Sequence, residues 1–379
     1  MISGAVKRFD PLLLLATCGL LAISYFAVRV SSAPELAGRQ LVFIVIGLIV
    51  MVTVSQVDVL RMRELKYGHY GLVIIGLILI LLLAADTKGA KLAIVIGPVQ
   101  LQWSEFAKVL FVMAIAAELV DRGRQINEWS TTGRVLALTA PVLLLIMAEP
   151  DLGSALVYVT MLLLMLAVAG VPGRHLQALG VAGLAAVALV LVVLPAGGVQ
   201  VLKDYQVDRL TSFLDPSGGA DGKISDEAYQ QQQAMIGIGN GGRVGQGEDA
   251  TQSSSGFIPE NQTDFIFAVI SERWGFVGAG LVLSLYALIL WRVLRVLIEA
   301  RSSYEAIVVS GIIGMLSFQI FENVGMNLGI MPITGVTLPL LSYGGSSVIA
   351  TLVALGLVHA VHAHARISRD PRVRLQTHT

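Results

Sequence analysis

Long apolar runs separated by short polar segments form the main pattern along the chain. Each run is close to the length of about 20 residues that crosses a bilayer as a helix. The apolar positions are continuous rather than alternating, which excludes a transmembrane β-barrel. The sequence therefore predicts an all-α, polytopic membrane protein of about ten transmembrane helices. These lie approximately at residues 12–29, 41–57, 69–85, 105–120, 134–149, 152–170, 176–195, 265–290, 305–330 and 344–363.

A large polar loop, residues 196–263, separates the predicted seventh and eighth helices. It contains a glutamine-rich helix candidate, Glu227–Met235, and a glycine cluster, Gly237–Gly247. The glycines match the dinucleotide-binding pattern G-x-G-x-x-G, but no strand precedes them, so we reject that function. Loops of this length are usually functional or disordered. We expect residues 1–379 to form one integral membrane domain with this loop inserted in it.

Composition agrees with a membrane protein. Hydrophobic residues make up 55% of the chain and charged residues 14%, whereas soluble domains carry roughly 25% charged residues. The formal net charge is zero, so bulk charge says nothing about nucleic acid or acidic partners. No nucleic-acid partner is expected of this membrane protein. The single cysteine, Cys18, lies in the first apolar run, which excludes an intrachain disulfide and a cysteine-based metal site.

Basic residues are unevenly divided between the two sets of short loops, and cytoplasmic loops carry the excess of Lys and Arg. With the N-terminus inside, the outer short loops hold Arg29, Arg39, Lys88 and Lys91. The inner loops and the tail hold Lys7, Arg8, Arg61, Arg63, Lys66, Arg122, Arg124, Arg134, Arg174, Arg292, Arg295, Arg301, Arg366, Arg369, Arg372 and Arg374. Both termini are therefore predicted to be cytoplasmic, and the large loop, residues 196–263, is predicted to be extracytoplasmic. The first run is interpreted as an uncleaved span because Pro34 follows its small residues and further spans come after it.

Asp264 is the first candidate for chemistry, because it stands where the polar loop meets an apolar helix. Thr263 is the predicted N-cap, and a carboxylate in the first turn stabilises a helix by about 0.3–1 kcal/mol. That structural role is one alternative. The other is a general base that faces a partly dry cavity and accepts a proton from a substrate hydroxyl. Glu260 is a second acid nearby, and a solvated loop position explains it equally well.

Glu105 and Lys108 form the second candidate pair. Their i, i+3 spacing places acid and amine on one helix face, and Ser104 is the predicted N-cap. Two roles are open for these residues: a structural ion pair that holds helices together, or contact with an anionic ligand.

The third candidate is a tight turn with two acids, Glu149 and Asp151. Pro150 is predicted to end the preceding helix and Asp151 to cap the following one. Capping explains these residue types, and two acids at one outer turn also suit a cation or a sugar.

The fourth candidate is the stretch from Pro332 to Ser347, rich in glycine and hydroxyl residues. Ser346 and Ser347 open the last span, where backbone N–H groups can bind an anion such as phosphate. A re-entrant turn that needs glycine for close packing is the alternative. On the preceding span, Glu322, Asn323 and Asn327 are expected to join helices rather than bind ligands.

Three histidines, His359, His362 and His364, lie near the inner end of the last span and are expected to be interfacial.

Five motifs in this order resemble the SEDS family (shape, elongation, division and sporulation), whose members include RodA and FtsW. They are IGPVQLQWSEFAK (Ile96–Lys108), EPDLGSA (Glu149–Ala155), YQQQQAMIGIGNGGRVGQG (Tyr229–Gly247), FIPENQTDFIFAVISERWGF (Phe257–Phe276) and NVGMNLGIMPITGVTLPLLSYGGSS (Asn323–Ser347). The chain departs from the family at Trp103, where proline is usual, at Leu92-Ala93, where an Arg-Trp pair is usual, and at Arg273, which replaces a frequent glutamate.

The resemblance implies a peptidoglycan glycosyltransferase of the bacterial cytoplasmic membrane. It would polymerise lipid II, the lipid-linked disaccharide-pentapeptide, outside that membrane, with a class B penicillin-binding protein as its transpeptidase partner. The family's essential aspartate corresponds to Asp264, its acid–base pair to Glu105 and Lys108, and the acid of its PDLG motif to Asp151. The shared motifs do not separate elongation, division and sporulation roles.

The expected chemistry is attack of a sugar 4-hydroxyl on C1 of a second sugar, with undecaprenyl pyrophosphate as the leaving group. Asp264 would be the base. Lys108, the helix start at Ser346–Ser347 and a divalent cation, magnesium or manganese, would stabilise the pyrophosphate. Two other functions compete: a lipid II flippase, whose polar groups would line a pathway, and a noncatalytic scaffold for a transpeptidase.

Overall fold

The protein is a bundle of long helices. The computed structural model describes residues 9–31, 34–84, 94–96, 99–190, 226–252 and 261–367. In chain order its main elements are α1 Pro11–Arg29, α2 Ala37–Val54, α3 Lys66–Leu83, β1 Ile94–Ile96, β2 Val99–Leu101, α4 Trp103–Asp121, α5 Trp129–Ala148, α6 Leu152–Val168, α7 Gly173–Ala188, α8 Asp226–Gly241, α9 Ile266–Glu299, α10 Ser303–Asn327 and α11 Gly345–Ile367. Short helical turns lie at Pro34–Leu36, Val59–Met62, Arg63–Leu65, Gly123–Gln125 and Gly247–Asp249.

Each of the ten predicted spans falls on one of these helices, and the all-α prediction is confirmed. Within the described ranges, seven helical segments are long and apolar enough to cross a membrane. Helix α4 is not among them because it carries Glu105, Lys108 and Glu118, and α6 is apolar but only 17 residues long. The glutamine-rich helix predicted in the polar loop is α8. Residues 196–225 and 253–260 of that loop, and residues 191–195 at the end of the predicted seventh span, lie outside the described residues.

Helices α10 and α11 lie at the centre of the bundle. Their apolar stretches are 67% and 83% buried, whereas the other spanning helices are 28–44% buried. Close contacts use glycine: a Cβ at Gly314 would lie 2.9 Å from the Met161 Cα of α6, and one at Gly356 would lie 2.8 Å from the Met51 carbonyl oxygen of α2. Small residues let helix backbones approach closely in membranes.

The central position of α11 overturns one prediction. His359 and His362 are buried rather than interfacial, because neighbouring elements surround α11 down to its last turns. The Nδ1 atom of His359 accepts a hydrogen bond from the Asp10 backbone N–H. His364, with a side chain 43% exposed, pairs with Glu305 at 2.7 Å.

The segment between α10 and α11, residues 328–344, has no regular structure although much of it is buried. Backbone polar groups in such a place need partners inside the protein. Three surrounding helices supply them: Ser24 Oγ donates to the Leu341 carbonyl at 2.8 Å, Gln40 Nε2 to the Ser342 carbonyl at 3.2 Å, and Tyr286 Oη to the Pro339 carbonyl at 2.5 Å. Side chains of α1, α2 and α9 therefore hold this segment in place.

Helix α9 is broken at Gly275, whose φ of 64° and ψ of −161° are not helical. The glycine-rich end of α8 packs against this break, backbone to backbone. The N–H groups of Phe276 and Val277 donate to the Gly242 and Arg243 carbonyls at 2.9 and 3.2 Å. The glycine cluster of the sequence therefore serves close backbone packing.

Two short strands precede α4. Strands β1 and β2 pair antiparallel, with Ile94 opposite Leu101. The sequence from Asp86 to Trp103 passes from polar to apolar, which predicts a return into the membrane after the third span. Residues 86–93 and 97–98 of this stretch lie outside the described residues, so the return stays a prediction.

The break in α9 generates the first test. Substitution Gly275→Ala should destabilise the protein, because its φ disfavours a side chain and the new Cβ would lie 2.4 Å from the Gly245 backbone nitrogen. The backbone term alone is about 1–3 kcal/mol. Gly280→Ala, in the same helix with no atom within 4 Å of its new Cβ, should be neutral or stabilising by up to about 1 kcal/mol. Thermal unfolding of both variants in detergent measures the difference, and equal stabilities would contradict the packing described.

Candidate active site

Asp264 is half-buried and lies just before α9. Its Oδ2 atom is 3.9 Å from the point that a Cβ at Gly335 would occupy. Gly335 has a φ of +79°, a conformation that favours glycine, and it belongs to the α10–α11 segment. The carboxylate therefore faces that segment rather than the lipid.

Two asparagines of α10 fix the backbone at Asp264. Its carbonyl oxygen accepts hydrogen bonds from Asn323 Nδ2 at 2.9 Å and from Asn327 Nδ2 at 3.0 Å. Asn327 Oδ1 in turn accepts from the Ala268 N–H in the first turn of α9, at 3.1 Å. The expectation that these asparagines join helices is confirmed.

The predicted cap at Thr263 is wrong. Helix α9 begins at Ile266 after Phe265, which provides no side-chain cap. Residues 261–265 form turns instead, and Asn327 from a neighbouring helix satisfies an N–H group that a local cap would have taken. Asp264 consequently lies before the helix, not within its first turn.

The α10–α11 segment also holds the two residues before Asp264. The Tyr343 N–H donates to the Gln262 carbonyl at 2.8 Å, and Ser342 Oγ donates to the Thr263 carbonyl at 2.6 Å. The position of the candidate base is therefore set by hydrogen bonds on three consecutive carbonyls, from residue 262 to residue 264.

Glu105 and Lys108 form the predicted ion pair, with Lys108 Nζ 2.6 Å from Glu105 Oε1. The Lys108 side chain is 1% exposed and that of Glu105 8%. The predicted cap at Ser104 is wrong, because α4 begins at Trp103 after Gln102 and the Ser104 side chain is buried inside the first turn. The Ser104 carbonyl accepts from Tyr158 Oη of α6 at 3.1 Å.

Ser346 and Ser347 lie in the first turn of α11, as predicted, and both are buried. Ser346 Oγ accepts from the Gln102 N–H and donates to the Gln100 carbonyl, each at 3.0 Å. Ser347 Oγ is 2.9 Å from Thr337 Oγ1. Their hydroxyls therefore tie α11 to the entrance of α4 and to the α10–α11 segment, and any anion at this helix start would meet backbone N–H groups.

Asp151 caps α6 as predicted: its Oδ1 accepts from the Ser154 N–H at 2.8 Å. The next residues pack on the α10–α11 segment, since a Cβ at Gly153 would lie 3.0 Å from the Thr334 carbonyl oxygen. Asp151 lies within electrostatic range of Glu105 and Lys108. The structure thus places Asp264, the start of α6 and Ser347 against one irregular segment, with the ion pair within electrostatic range of Asp151.

Glu149 is a feature that the sequence interpretation undervalued. It ends α5, as expected with Pro150 following, but its side chain is fully buried and neither carboxyl oxygen has a hydrogen-bond partner among the described residues. Burial, and then the charge of Asp151, raise the pKa of the Glu149 carboxyl to about 8. Glu149 therefore holds its proton at neutral pH. An acid directly before a helix-ending proline was the available signal.

Glu260 lies outside the described residues, and so does the stretch that leads into the site from residue 253. Within the described ranges, no group of three or more His, Cys, Asp or Glu side chains is placed to hold a metal ion. A cavity of about 460 Å³ opens beside α1 and the break in α9, but none of the predicted site residues lines it.

The raised pKa of Glu149 gives a pH-dependent test. Between its ordinary value of 4.5 and about 8, the folded protein keeps a proton that the unfolded chain has lost. The free energy of unfolding should therefore fall as pH rises through that window. Glu149→Gln, which is neutral at every pH, should lose less thermal stability than the wild type between about pH 5 and about pH 9.

The matched control is Glu128→Gln, an exposed position at the other end of the same helix, which should follow the wild type. Equal pH dependence in the Glu149 variant and the wild type would show that this carboxyl is ionised in the folded protein.

Comparison with known proteins places the chain in a family. The model of the FtsW/RodA/SpoVE cell cycle proteins matches residues 9–367. The chain is 33% identical to stage V sporulation protein E of Bacillus subtilis (strain 168), covering 95% of this chain and 99% of that protein. It is also 33% identical to the peptidoglycan glycosyltransferase MrdB of Escherichia coli (strain K12), covering 95% of each.

Solved structures are similar to this chain over a comparable share of its length. One chain, from a peptidoglycan synthase complex that coordinates polymerisation and crosslinking, has a TM-score of 0.79 and 34% identity, covering 94% of this chain and 98% of its own. RodA of Thermus thermophilus has a TM-score of 0.68 and 32% identity, covering 93% and 96%. The resemblance to the SEDS proteins is confirmed, and the protein described here belongs to the FtsW/RodA/SpoVE family of multi-pass membrane proteins.

Proposed function

We propose that this protein is a peptidoglycan glycosyltransferase that polymerises lipid II at the outer face of the bacterial cytoplasmic membrane. Family membership supports the reaction class, since relatives from Escherichia coli and Treponema pallidum bear the name peptidoglycan glycosyltransferase over nearly their whole lengths. The observation that carries the proposal is the position of Asp264. Its backbone is fixed by α10, and its carboxylate is directed at a glycine of the α10–α11 segment.

In the proposed step, Asp264 accepts the proton of a sugar 4-hydroxyl as that oxygen attacks C1 of the second sugar. The new bond joins the attacking oxygen to C1, and the bond between C1 and the pyrophosphate oxygen breaks. The undecaprenyl pyrophosphate leaves with that electron pair. Because pyrophosphate is a good leaving group, one base suffices, unlike the two carboxylates of most glycosidases.

Positive potential near the leaving group would come from two sources. The first is the start of α11, where the serine hydroxyls are already bonded within the protein and the N–H groups remain for an anion. The second is Lys108. Lys108 is bonded to Glu105 and almost fully buried. Its positive charge would therefore act on the pyrophosphate through the intervening protein and not by direct contact. Asp151 and Glu260 stay predicted substrate-binding residues.

The proposal also implies a partner protein, an orientation in the membrane and a cofactor. A class B penicillin-binding protein is the expected partner, which the likeness to a chain of a peptidoglycan synthase complex supports. The uneven distribution of basic residues supports a cytoplasmic location for both termini. A divalent cation, magnesium or manganese, stays a prediction. Because the described residues offer no three-ligand group for it, no step of the reaction is assigned to it.

Asp264→Asn tests the base directly. The variant keeps the shape of the side chain and the backbone contacts of the carbonyl but cannot take the proton, so polymerisation of labelled lipid II by purified protein should be abolished. Asp249→Asn, the same exchange at an exposed position after α8, should keep full activity. A fully active Asp264 variant would remove the base assignment. Lipid II scrambling in liposomes without polymerisation by the wild type would favour the flippase instead.

The ion pair of α4 needs a double substitution, because removing one partner leaves a buried charge and costs about 3–5 kcal/mol. In Glu105→Gln/Lys108→Met both charges are absent, so the thermal stability in detergent should stay near that of the wild type. Polymerisation should nevertheless fall by at least tenfold if the Lys108 charge stabilises the pyrophosphate. A folded double variant with unchanged activity would assign the pair a purely structural role.

A further inference from the structure

A group of six charged side chains lies at the end of α4 opposite Glu105. The 16 residues from Glu105 to Asp121 span about 24 Å of helix, so this group is far from the candidate active site. Two acids of α4 are its centre, and four basic residues of the α3 start, the α4 end and α5 surround them. Its members are Arg63, Lys66, Glu118, Asp121, Arg122 and Arg134.

The acids do not balance the bases. Glu118, with a side chain 7% exposed, accepts from Lys66 at 3.0 Å, Arg122 at 3.0 Å and Arg134 at 2.6 Å. Asp121 accepts from Lys66 at 2.6 Å and from Arg63 at 2.5 Å. Four cations around two carboxylates leave two positive charges in excess. A structural ion-pair network would not need that excess.

The way in which two arginines bind Glu118 leaves their positive charge on the outer side of the group. Arg122 and Arg134 both bind its Oε1 atom through their Nε atoms. Their terminal Nη groups have no hydrogen-bond partner among the described residues, and the two side chains are 27% and 50% exposed. One buried carboxylate oxygen therefore anchors two guanidinium groups side by side with their outer donors free. Guanidinium donors of this kind match phosphate oxygens.

The surroundings are those of a membrane interface. Tyr67, 74% exposed, lies under the Lys66 ammonium at 4.9 Å, and Trp129, 52% exposed, stacks on His175 at 3.7 Å. Tyr and Trp are enriched where the bilayer meets water. Beyond them, α3 exposes an apolar stripe at helical spacing, Leu72, Ile75, Leu79 and Leu82. A molecule with a phosphate and long acyl chains fits both parts at once.

We propose that the Arg122–Arg134 pair binds the phosphate of an anionic phospholipid such as phosphatidylglycerol, with its acyl chains along α3. The basic residues of this end belong to the loops predicted to be cytoplasmic, so the lipid lies in the inner leaflet. Basic sites between helix ends on that side are known to bind anionic headgroups. The apolar stripe favours a lipid over a soluble phosphate. This inference does not depend on the proposed function.

The experiment compares thermal unfolding of the full chain in nanodiscs of phosphatidylcholine with and without phosphatidylglycerol, because a ligand that binds only the folded state raises the unfolding temperature. Phosphatidylglycerol should raise the unfolding temperature of the wild type. Arg122→Gln/Arg134→Gln should lose more than half of the increase. The matched control, Arg295→Gln/Arg301→Gln, also removes two positive charges, from exposed arginines at the same predicted side of the membrane, and it should keep the full increase.

Equal losses in the double variant and the control would overturn the site, because bulk charge would then explain the effect. Full retention by the double variant would overturn it as well. Should the double variant fail to fold, Arg134→Gln alone and Arg134→Lys carry the test, the lysine keeping more of the increase than the glutamine. Millimolar inorganic phosphate added to phosphatidylcholine nanodiscs should have no effect. An increase as large as that from phosphatidylglycerol would assign the pair to a soluble anion and overturn the lipid.

Discussion

The hydrogen bonds that satisfy the buried, irregular α10–α11 segment are the interaction on which the rest of this structure depends. Carbonyl groups buried inside a helix bundle need partners within the protein, and Ser24, Gln40 and Tyr286 from three different helices donate to them. The segment in turn donates to the carbonyls of Gln262 and Thr263. Fixing a loop inside the bundle therefore also fixes the start of α9, and the candidate base with it.

The two ends of the bundle differ in how their charged side chains are balanced. At the Asp264 end, Glu149 is buried with no hydrogen-bond partner among the described residues, and its raised pKa keeps it neutral, while Glu105 and Lys108 neutralise each other. At the opposite end, Glu118 binds three basic side chains, two of which keep free outer donors. Net charge is therefore small among these groups at the first end and positive at the second.

Much of the fold followed from the apolar runs, because each run of bilayer length became a helix. The ion pair of α4 and the cap at Asp151 also followed, since both depend on neighbours within one helical turn. The wrong cap at Thr263 and the buried histidines of α11 share one cause, because each depends on a residue or helix distant in sequence. The wrong cap at Ser104 is a shift of the helix start to Trp103. Asn327 replaces the cap of α9 from 59 residues away. That Glu149 has no hydrogen-bond partner among the described residues could not be predicted for the same reason, since it depends on how distant helices pack around it.

In the proposed reaction the Asp264 carboxylate meets the attacking hydroxyl. An experimental structure of the wild-type protein with a lipid II donor analogue and a glycan acceptor bound would test this contact. An Asp264 carboxyl oxygen should then lie within hydrogen-bond reach, about 2.6–3.2 Å, of the acceptor 4-hydroxyl. An acceptor hydroxyl bound to Asp151 or another acid, with Asp264 out of reach, would contradict it.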